Sequence, residues 1–322
     1  MMLTPDPDLV LTLRELLAQG RYQDVLDRAP AAFGADPGVT LAVATAATRL
    51  GRLDESLPMA ETALAAFRAR ADDDGRLKAL NLLGAIMFER GLLTEAADYW
   101  GRALELSRAV GDTLFVARVS NNLASVLHMT GKVDEARSGY REALLAYQRL
   151  ADRRFIAETC HNLAITCRLD GDLSGADDLS ADAVRHAEVV GDPLLLALMM
   201  TGRAETLLEH REFALAGEGL DRAERLAREA GDELGVAEAV RVRAELVLRQ
   251  GEPDRAAELA LAARAVAERH GSALLVGECA AIAFRASARL GREADATRFR
   301  AEAERVFRDL GATLYIDRLV SE

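Results

Sequence analysis

Asparagines recur at two adjacent positions of a repeating pattern in this chain, as Asn81 and Asn121 and as Asn122 and Asn162. Asparagine is a poor residue for the interior of a helix because its side chain competes for backbone hydrogen bonds. An amide also offers both a donor and an acceptor, which suits binding to the main chain of a peptide whatever its sequence. The pattern favours a peptide-binding surface, and the alternative is that these amides bridge adjacent repeats.

Charged and polar residues accompany these amides at i, i+3, i+4 and i+7, which places them on one face of each helix. Lys78, Arg118 and Arg168 favour an acidic segment or a carboxylate as the partner, against the alternative of ordinary surface charge. In later repeats the stripe carries mixed charges, from Glu205 and Arg241 onward. The predicted ligand-binding site comprises Lys78, Asn81, Arg118, Asn121, Asn122, Ser125, His128, His161, Asn162 and Arg168.

Cysteine and histidine side chains raise the question of a metal site, which the spacing does not favour. Cys160 and Cys167 fall at inward-facing positions of the repeat, whereas His161 belongs to the polar stripe. Small buried hydrophobic side chains are the better interpretation of the two cysteines. His128 and His161 lack a third ligand for zinc. The sequence also lacks phosphate-loop, nucleophile-elbow and zinc-protease motifs, so we expect neither an enzyme nor a cofactor.

The composition narrows the partners and the compartment. The 322 residues are 50% hydrophobic and only 5% aromatic, and their formal net charge of −12 opposes attraction to nucleic acid and to anionic membranes. The apolar stretch from Leu194 to Met200 is far shorter than the ~20 residues that a membrane-spanning helix needs. The acidic start does not resemble a secretory signal, and three cysteines do not suggest a disulfide framework. We therefore predict a cytoplasmic protein.

A period of 40 residues organises the chain from residue 75 onward. Breaks inside each hairpin fall at Gly91, Gly131, Gly171, Gly251 and Gly291, with Arg211 in the remaining slot. Breaks between hairpins fall at Gly111, Gly191, Gly231, Gly271 and Gly311, with Ala151 in the remaining slot. Glycine can adopt the left-handed conformation that ends a helix, so this spacing predicts a series of helical hairpins.

Alanine follows the same period within the second helix of each hairpin. One register holds Ala96, Ala136, Ala176, Ala216, Ala256 and Ala296, and a second holds Ala103, Ala143, Ala183, Ala223, Ala263 and Ala303. The first helices hold a matching small residue at Gly84, Ala124, Ala164, Ala204 and Ala244, whereas Phe284 occupies that slot in the last hairpin. Helices approach closely only where side chains are small, so these registers predict the helix contacts.

These residues resemble the tetratricopeptide repeat, in its long form of about 40 residues. In that family a small residue follows Leu in the first helix, and the second helix carries Ala, an aromatic residue and Ala. Leu123-Ala124, Ala136, Tyr140 and Ala143 match this pattern, and Trp100 fills the aromatic slot one repeat earlier.

The resemblance implies an all-α fold, a right-handed α-α superhelix or tetratricopeptide-repeat solenoid, with about eight helical hairpins. A single domain would span residues 1–322, with a degenerate hairpin at 8–34, regular repeats at 38–310 and a capping tail at 312–321. The resemblance also implies that the first helices line a concave groove that binds extended or helical peptides.

The favoured function is a non-enzymatic scaffold that binds a protein or peptide segment in a groove lined by the first helices of repeats 3 to 5. An alternative is a sensory or regulatory module, as in the helical-repeat regions of bacterial transcriptional regulators. In that case a small ligand or a signalling peptide would alter the curvature of the array. A third interpretation is a homo-oligomer that assembles through the terminal hairpins.

Overall fold

The computed structural model describes residues 7–18, 21–29 and 36–321. All regular structure in these ranges is α-helical, in eight successive pairs of helices followed by one further helix. The chain divides into two compact units, Met1–Val126 and Leu127–Glu322, here called unit 1 and unit 2. Residues 19–20 and 30–34 of the predicted first hairpin lie outside the described ranges. That residues 1–322 form a single domain stays a prediction.

Unit 1 is a stack of antiparallel helix pairs. It contains α1 (Pro7–Ala18), α2 (Tyr22–Arg28), α3 (Pro37–Arg49), α4 (Leu53–Ala69), α5 (Asp73–Glu89), α6 (Leu93–Val110) and the first part of α7 (Thr113–Met129). From α3 to α6 each helix packs against the next, and α3 also contacts α5. Consecutive first helices are therefore neighbours in one layer of the stack.

Unit 2 repeats the same arrangement. It contains the end of α7, α8 (Val133–Arg149), α9 (Arg153–Leu169), α10 (Leu173–Val190), α11 (Pro193–Glu209), α12 (Phe213–Glu229), α13 (Glu233–Arg249), α14 (Pro253–Arg269), α15 (Ala273–Arg289), α16 (Glu293–Asp309) and α17 (Thr313–Ser321). The first helices α9, α11, α13 and α15 contact one another in sequence. Their layer forms what we call the inner face of unit 2.

Left-handed residues end the helices at the predicted breaks. Every predicted glycine break has a positive φ, and the two exceptions adopt the same conformation, with φ of 54° at Ala151 and 59° at Arg211. Aspartates then cap several following helices, as where the Asp232 carboxylate accepts a 2.9 Å hydrogen bond from the main-chain nitrogen of Gly235. The left-handed residues confirm the predicted breaks between helices. These breaks are predictable from the sequence because they depend on local backbone conformation.

The predicted alanine registers form the contacts between helices. Ala136, Ala143 and most of their counterparts are fully buried. Gly84 provides the matching slot in α5, where a Cβ atom would overlap the indole ring of Trp100. In the last hairpin Phe284 takes this slot and is partly buried against a core cluster, so packing there is bulkier. Small residues thus allow the close helix approach that positions the first helices.

Candidate functional site

The predicted amides of unit 1 include a direct contact between repeats. The side-chain nitrogen of Asn122, on α7, donates a 3.0 Å hydrogen bond to the side-chain oxygen of Asn81, on α5. Trp100 donates to the main-chain oxygen of Asn81 at 3.2 Å. Within α7, the hydroxyl of Ser125 donates to the main-chain oxygen of Asn121 at 3.2 Å. Asn81 therefore bridges two repeats and also anchors the aromatic residue of its own hairpin.

The two predicted cations of unit 1 have partners of their own. The Lys78 ammonium lies 2.6 Å from the carboxylate of Asp74, one turn earlier in α5. The guanidinium carbon of Arg118 lies 5.2 Å from the centre of the Phe115 ring. Each of these two contacts joins residues of a single helix.

Two of the predicted residues of unit 2 meet through a threonine. Nδ1 of His128 lies 3.1 Å from the hydroxyl of Thr166, which donates a 2.9 Å hydrogen bond to the main-chain oxygen of Asn162. His128 is only 6% exposed. Burial, assisted by the nearby cations Arg168 and Arg318, lowers the pKa of His128 to about 4. The imidazole is therefore neutral near pH 7.

A cavity of about 280 Å³, here called the inner cavity, lies on the inner face of unit 2. Its walls come from the first helices α9, α11, α13 and α15, together with side chains of α16 and α17. Five arginines and five glutamates contribute to the lining, namely Arg168, Arg241, Arg249, Arg285 and Arg318 with Glu205, Glu209, Glu238, Glu245 and Glu278. Of the ten predicted residues, His161 and Arg168 line this cavity.

The His161 ring forms part of the wall where α9 meets α11. A Cβ atom on Gly202 would overlap this ring, so the glycine allows the close contact. Burial lowers the pKa of His161 to about 4, although the carboxylate of Glu205 acts in the opposite direction. The cavity wall at this point is therefore a neutral imidazole that can accept or donate a hydrogen bond.

Buried ion pairs connect four consecutive first helices along the cavity. Arg168 lies 2.8 Å from Glu205, and Arg241 lies 2.7 Å from the same carboxylate. Arg241 also lies 3.3 Å from Glu238 and 3.6 Å from Glu278. The side chains of Arg168, Glu205 and Arg241 are between 11% and 15% exposed. One guanidinium group therefore serves three carboxylates, of which Glu278 has the longest contact.

A second group of ion pairs continues the row toward α15. Arg249 lies 2.8 Å from both Glu209 and Glu245, and Arg285 lies 2.8 Å from Glu245. Arg249 also donates a 3.0 Å hydrogen bond to the main-chain oxygen of Leu208. These contacts hold long side chains in fixed positions, so a ligand would meet preorganised charges rather than mobile ones.

The two central carboxylates differ in protonation. Burial opposes ionisation of Glu205, but the guanidinium groups of Arg168 and Arg241 outweigh it and lower the pKa of Glu205 to about 2. Burial, assisted by the carboxylates of Glu238 and Glu205, raises the pKa of Glu278 to about 7 despite Arg241. Near neutral pH Glu205 is therefore ionised, whereas Glu278 exchanges a proton.

The last helix completes the cavity. Tyr315, Arg318 and Leu319 of α17 contribute to its lining. The Tyr315 ring packs against Phe307 of α16 with ring centres 5.3 Å apart, and Leu319 is 3% exposed. Burial, with the nearby carboxylates of Glu278 and Glu205, raises the pKa of Tyr315, so its hydroxyl keeps its proton. The capping tail is thus helical, and it contributes to the inner face as well as to the last hairpin.

The cysteines are buried, as the repeat register predicts. Cys160, Cys167 and Cys279 are free thiols, and burial raises the pKa of Cys160 to about 11. Within the described ranges, His, Cys, Asp and Glu side chains form no group of three that could hold a metal ion. Among the same residues, no helix is both long and apolar enough to cross a bilayer.

The charged stripe of the later repeats is visible in the sequence, but the predicted ligand-binding site lies mainly on the asparagine-rich repeats. Arg168, Glu205, Arg241 and Glu278 alternate in sign at spacings of 36 or 37 residues. Opposite charges at nearly one repeat length are the signal that could have identified the inner cavity. No comparable sequence signal predicts that α17 lines the inner cavity, because Tyr315 lies far along the chain from Glu205.

Comparison with known proteins agrees with this architecture. A family model described as Tetratricopeptide repeat matches residues 38–111 and 115–188. No curated protein sequence matches the chain.

Several solved structures have a similar fold at low sequence identity. A Rap protein complexed with Competence and Sporulation Factor has a TM-score of 0.66 at 13% identity, and the match covers 97% of this chain and 96% of that one. The Rap conjugation gene regulator of the plasmid pLS20, in complex with the Phr* peptide, has a TM-score of 0.67 at 15% identity, covering 85% and 73%. Aspartyl phosphate phosphatase F from Bacillus subtilis has a TM-score of 0.60 at 12% identity, covering 100% and 95%.

Likeness at these identities concerns the fold alone. The family match, the helical pairs and the similar structures together confirm the predicted fold class, an all-α helical-repeat solenoid. Residues 38–111 and 115–188 thus match the tetratricopeptide-repeat family, and the described part of the chain has the corresponding helical-repeat fold.

Proposed function

We propose that this chain is a non-catalytic scaffold that binds a peptide, or a peptide segment of a protein, in the inner cavity of unit 2. The observation that carries the proposal is the row of buried, paired arginines and glutamates along four consecutive first helices. Burying charge is costly, and apolar side chains of similar size would often give equal stability. Because folding does not require these charges, we infer that the row serves to recognise a polar chain in the cavity.

The chemistry of the cavity suits a peptide. Its guanidinium and carboxylate groups can bind the carbonyl oxygens and amide hydrogens of a main chain as well as charged side chains. Leu198, Leu274 and Ile165 add apolar surface between the charges. Two of the similar structures were solved with Competence and Sporulation Factor and with the Phr* peptide, which supports a peptide as the ligand class.

We extend the proposal to the polar residues predicted from the sequence. In unit 1, Lys78, Asn81, Arg118, Asn121, Asn122 and Ser125 are proposed as a separate peptide contact. In unit 2, His161 and Arg168 are proposed to contact the ligand in the cavity, which they line. His128 and Asn162 stay proposed ligand contacts outside the cavity lining. An acidic segment is the partner that the cations favour. The five arginines and five glutamates of the cavity favour a segment with both charges, and selection from a library distinguishes the two.

A sensory or regulatory module is the second candidate. The volume of about 280 Å³ is at the lower end of the range for small-molecule sites, so a compact ligand would also fit. Both candidates place the protein in the cytoplasm and require no catalytic group.

Light scattering of the purified protein tests the third interpretation, assembly through the terminal hairpins, because a monomer would contradict it.

The experiment is selection of random linear peptides displayed on phage against the purified protein. Binding of the selected peptides is then measured by fluorescence anisotropy for the natural protein and for Leu198→Trp. Leu198 lines the cavity and is 46% exposed, so tryptophan would fill the opening with little effect on folding. We expect at least about tenfold weaker binding by this variant, which corresponds to 1.4 kcal/mol.

Leu261→Trp is the matched control, because Leu261 is 39% exposed on the second helix α14. This variant should bind like the natural protein. Equal affinity of all three proteins would contradict the inner cavity as the binding surface. A parallel thermal-shift screen with metabolites separates the candidates, since a metabolite that stabilises the natural protein but not Leu198→Trp would favour the sensory module.

A further inference from the structure

One face of α17 is directed into the inner cavity and the other toward solvent. Tyr315, Arg318 and Leu319 have the i, i+3, i+4 spacing of a single helix face and all line the cavity. Asp317 and Val320 lie on the opposite side and are exposed, and Arg318 is also exposed although it contributes to the lining. The chain itself therefore fills part of the surface that a ligand would contact.

The helix α17 depends on this contact for its own stability. It has nine residues, whereas isolated helices shorter than about 12 to 15 residues are marginal in water. Its anchors are the buried side chain of Leu319 and the packing of Tyr315 on Phe307. A short helix held by one face is the kind of element that opens locally without global unfolding.

We propose that α17 is a built-in competitor of the ligand: it occupies part of the inner cavity, and a peptide binds there by displacing it. This inference rests on the proposed function and specifies its regulation and ligand class. The ligand is a helical segment with an aromatic residue followed, three and four residues later, by a basic and an aliphatic residue. This is the pattern of Tyr315, Arg318 and Leu319, whose side chains fit the cavity.

Tethering makes α17 a strong competitor. A segment joined to its own site has a high effective concentration, in the millimolar range for short flexible linkers. A free peptide with the same contacts would therefore bind weakly to the natural protein. Weakening the contacts of α17 increases the fraction of molecules with an open cavity. The apparent affinity for the peptide rises by the same factor as this fraction.

The test uses the full-length chain and a fluorescein-labelled peptide with the sequence of residues 312–321. The variant carries Tyr315→Ala and Leu319→Ala, which remove the two anchors of α17. Anisotropy should show at least tenfold tighter binding of the peptide to this variant than to the natural protein. Val320→Ala is the matched control, because Val320 is 61% exposed on the same helix, and it should bind like the natural protein. Equal affinity for the variant and the natural protein would overturn the proposal.

A second measurement needs no variant. Hydrogen exchange of the natural protein should show faster exchange in α17 than in α16, and a peptide selected on the inner cavity should increase exchange in α17 further. If such a peptide binds and is weakened by Leu198→Trp, yet leaves exchange in α17 unchanged, the competitor fails and the proposed function stands. If no selected peptide is sensitive to Leu198→Trp, the proposed function itself fails.

Discussion

The side-chain nitrogen of Asn122 donates a 3.0 Å hydrogen bond to the side-chain oxygen of Asn81, 41 residues earlier in the chain. A helix-interior asparagine therefore has a structural use in unit 1, because Asn122 of one repeat binds Asn81 of the preceding repeat. This bond supports the interpretation of the amides as bridges between repeats.

Replacing Asn122 by alanine should destabilise unit 1 by about 0.5 to 1.5 kcal/mol, the net contribution of a partly buried hydrogen bond. Urea denaturation of Asn122→Ala, Asn81→Ala and the double variant measures this in a double-mutant cycle. The two effects should be less than additive, since either substitution removes the same bond. Full additivity would show that the amides act independently.

Removing the charge of Glu205 should be costly, because Arg168 and Arg241 would then share a buried site without their common carboxylate. We expect Glu205→Gln to destabilise unit 2 by about 3 kcal/mol. Glu233→Gln is the control, because the Glu233 carboxylate pairs with Arg269 and His270 but its side chain is 64% exposed. Chemical denaturation should show a clearly smaller loss of stability for the control, because water screens this exposed pair. Similar losses in both variants would contradict a special role for the buried row.

The protonation of Glu278 should make the stability of unit 2 depend on pH. Its pKa is about 7 in the folded chain, above the ordinary value of 4.5. Between pH 4.5 and 7 the folded state binds a proton that the unfolded state has released, so stability falls as pH rises through this window. Glu278→Gln removes this dependence. The free energy of unfolding of Glu278→Gln minus that of the natural protein should therefore be larger at pH 8 than at pH 4. Urea denaturation of both proteins at each pH measures this difference. Parallel pH profiles of the two proteins would refute the assignment.

Enlarging an alanine at a helix contact should damage packing only where the alanine is buried. Ala263 is 1% exposed, whereas Ala265, two residues later in α14, is exposed. Ala263→Leu should cost about 1 to 3 kcal/mol through overpacking. Ala265→Leu serves as the control and should change stability by less than about 0.5 kcal/mol. Comparable thermal shifts in both variants would contradict the register of small residues.

Repetition explains why so much of the fold could be predicted. The breaks at Arg211 and Ala151 were predicted from position alone, and both residues adopt the left-handed conformation despite their side chains. The position in the repeat therefore determined the conformation more than the residue type did. The same applies to the alanine registers, because each small residue fills an equivalent contact in successive hairpins.

The inner cavity was harder to predict, since its chemistry depends on which charges share a partner. The sequence places Glu205, Arg241 and Glu278 on one polar stripe, but only the packing of α9, α11, α13 and α15 brings three carboxylates to one guanidinium group. Burial raises the pKa of Glu278, whereas Arg168 and Arg241 overcome burial and lower the pKa of Glu205. Composition and spacing do not contain this difference.

The sequence by itself determined the helical hairpins, their boundaries, their contact residues and the family, because these properties are local and recur in every repeat. Only the tertiary structure decided that Asn122 bonds to Asn81, that the arginines and glutamates of unit 2 form one buried row, and that α17 contributes Tyr315 to the inner cavity. These relationships join residues that lie on different helices and far apart in the chain. They depend on how far each helix lies from its neighbours, and packing sets that distance.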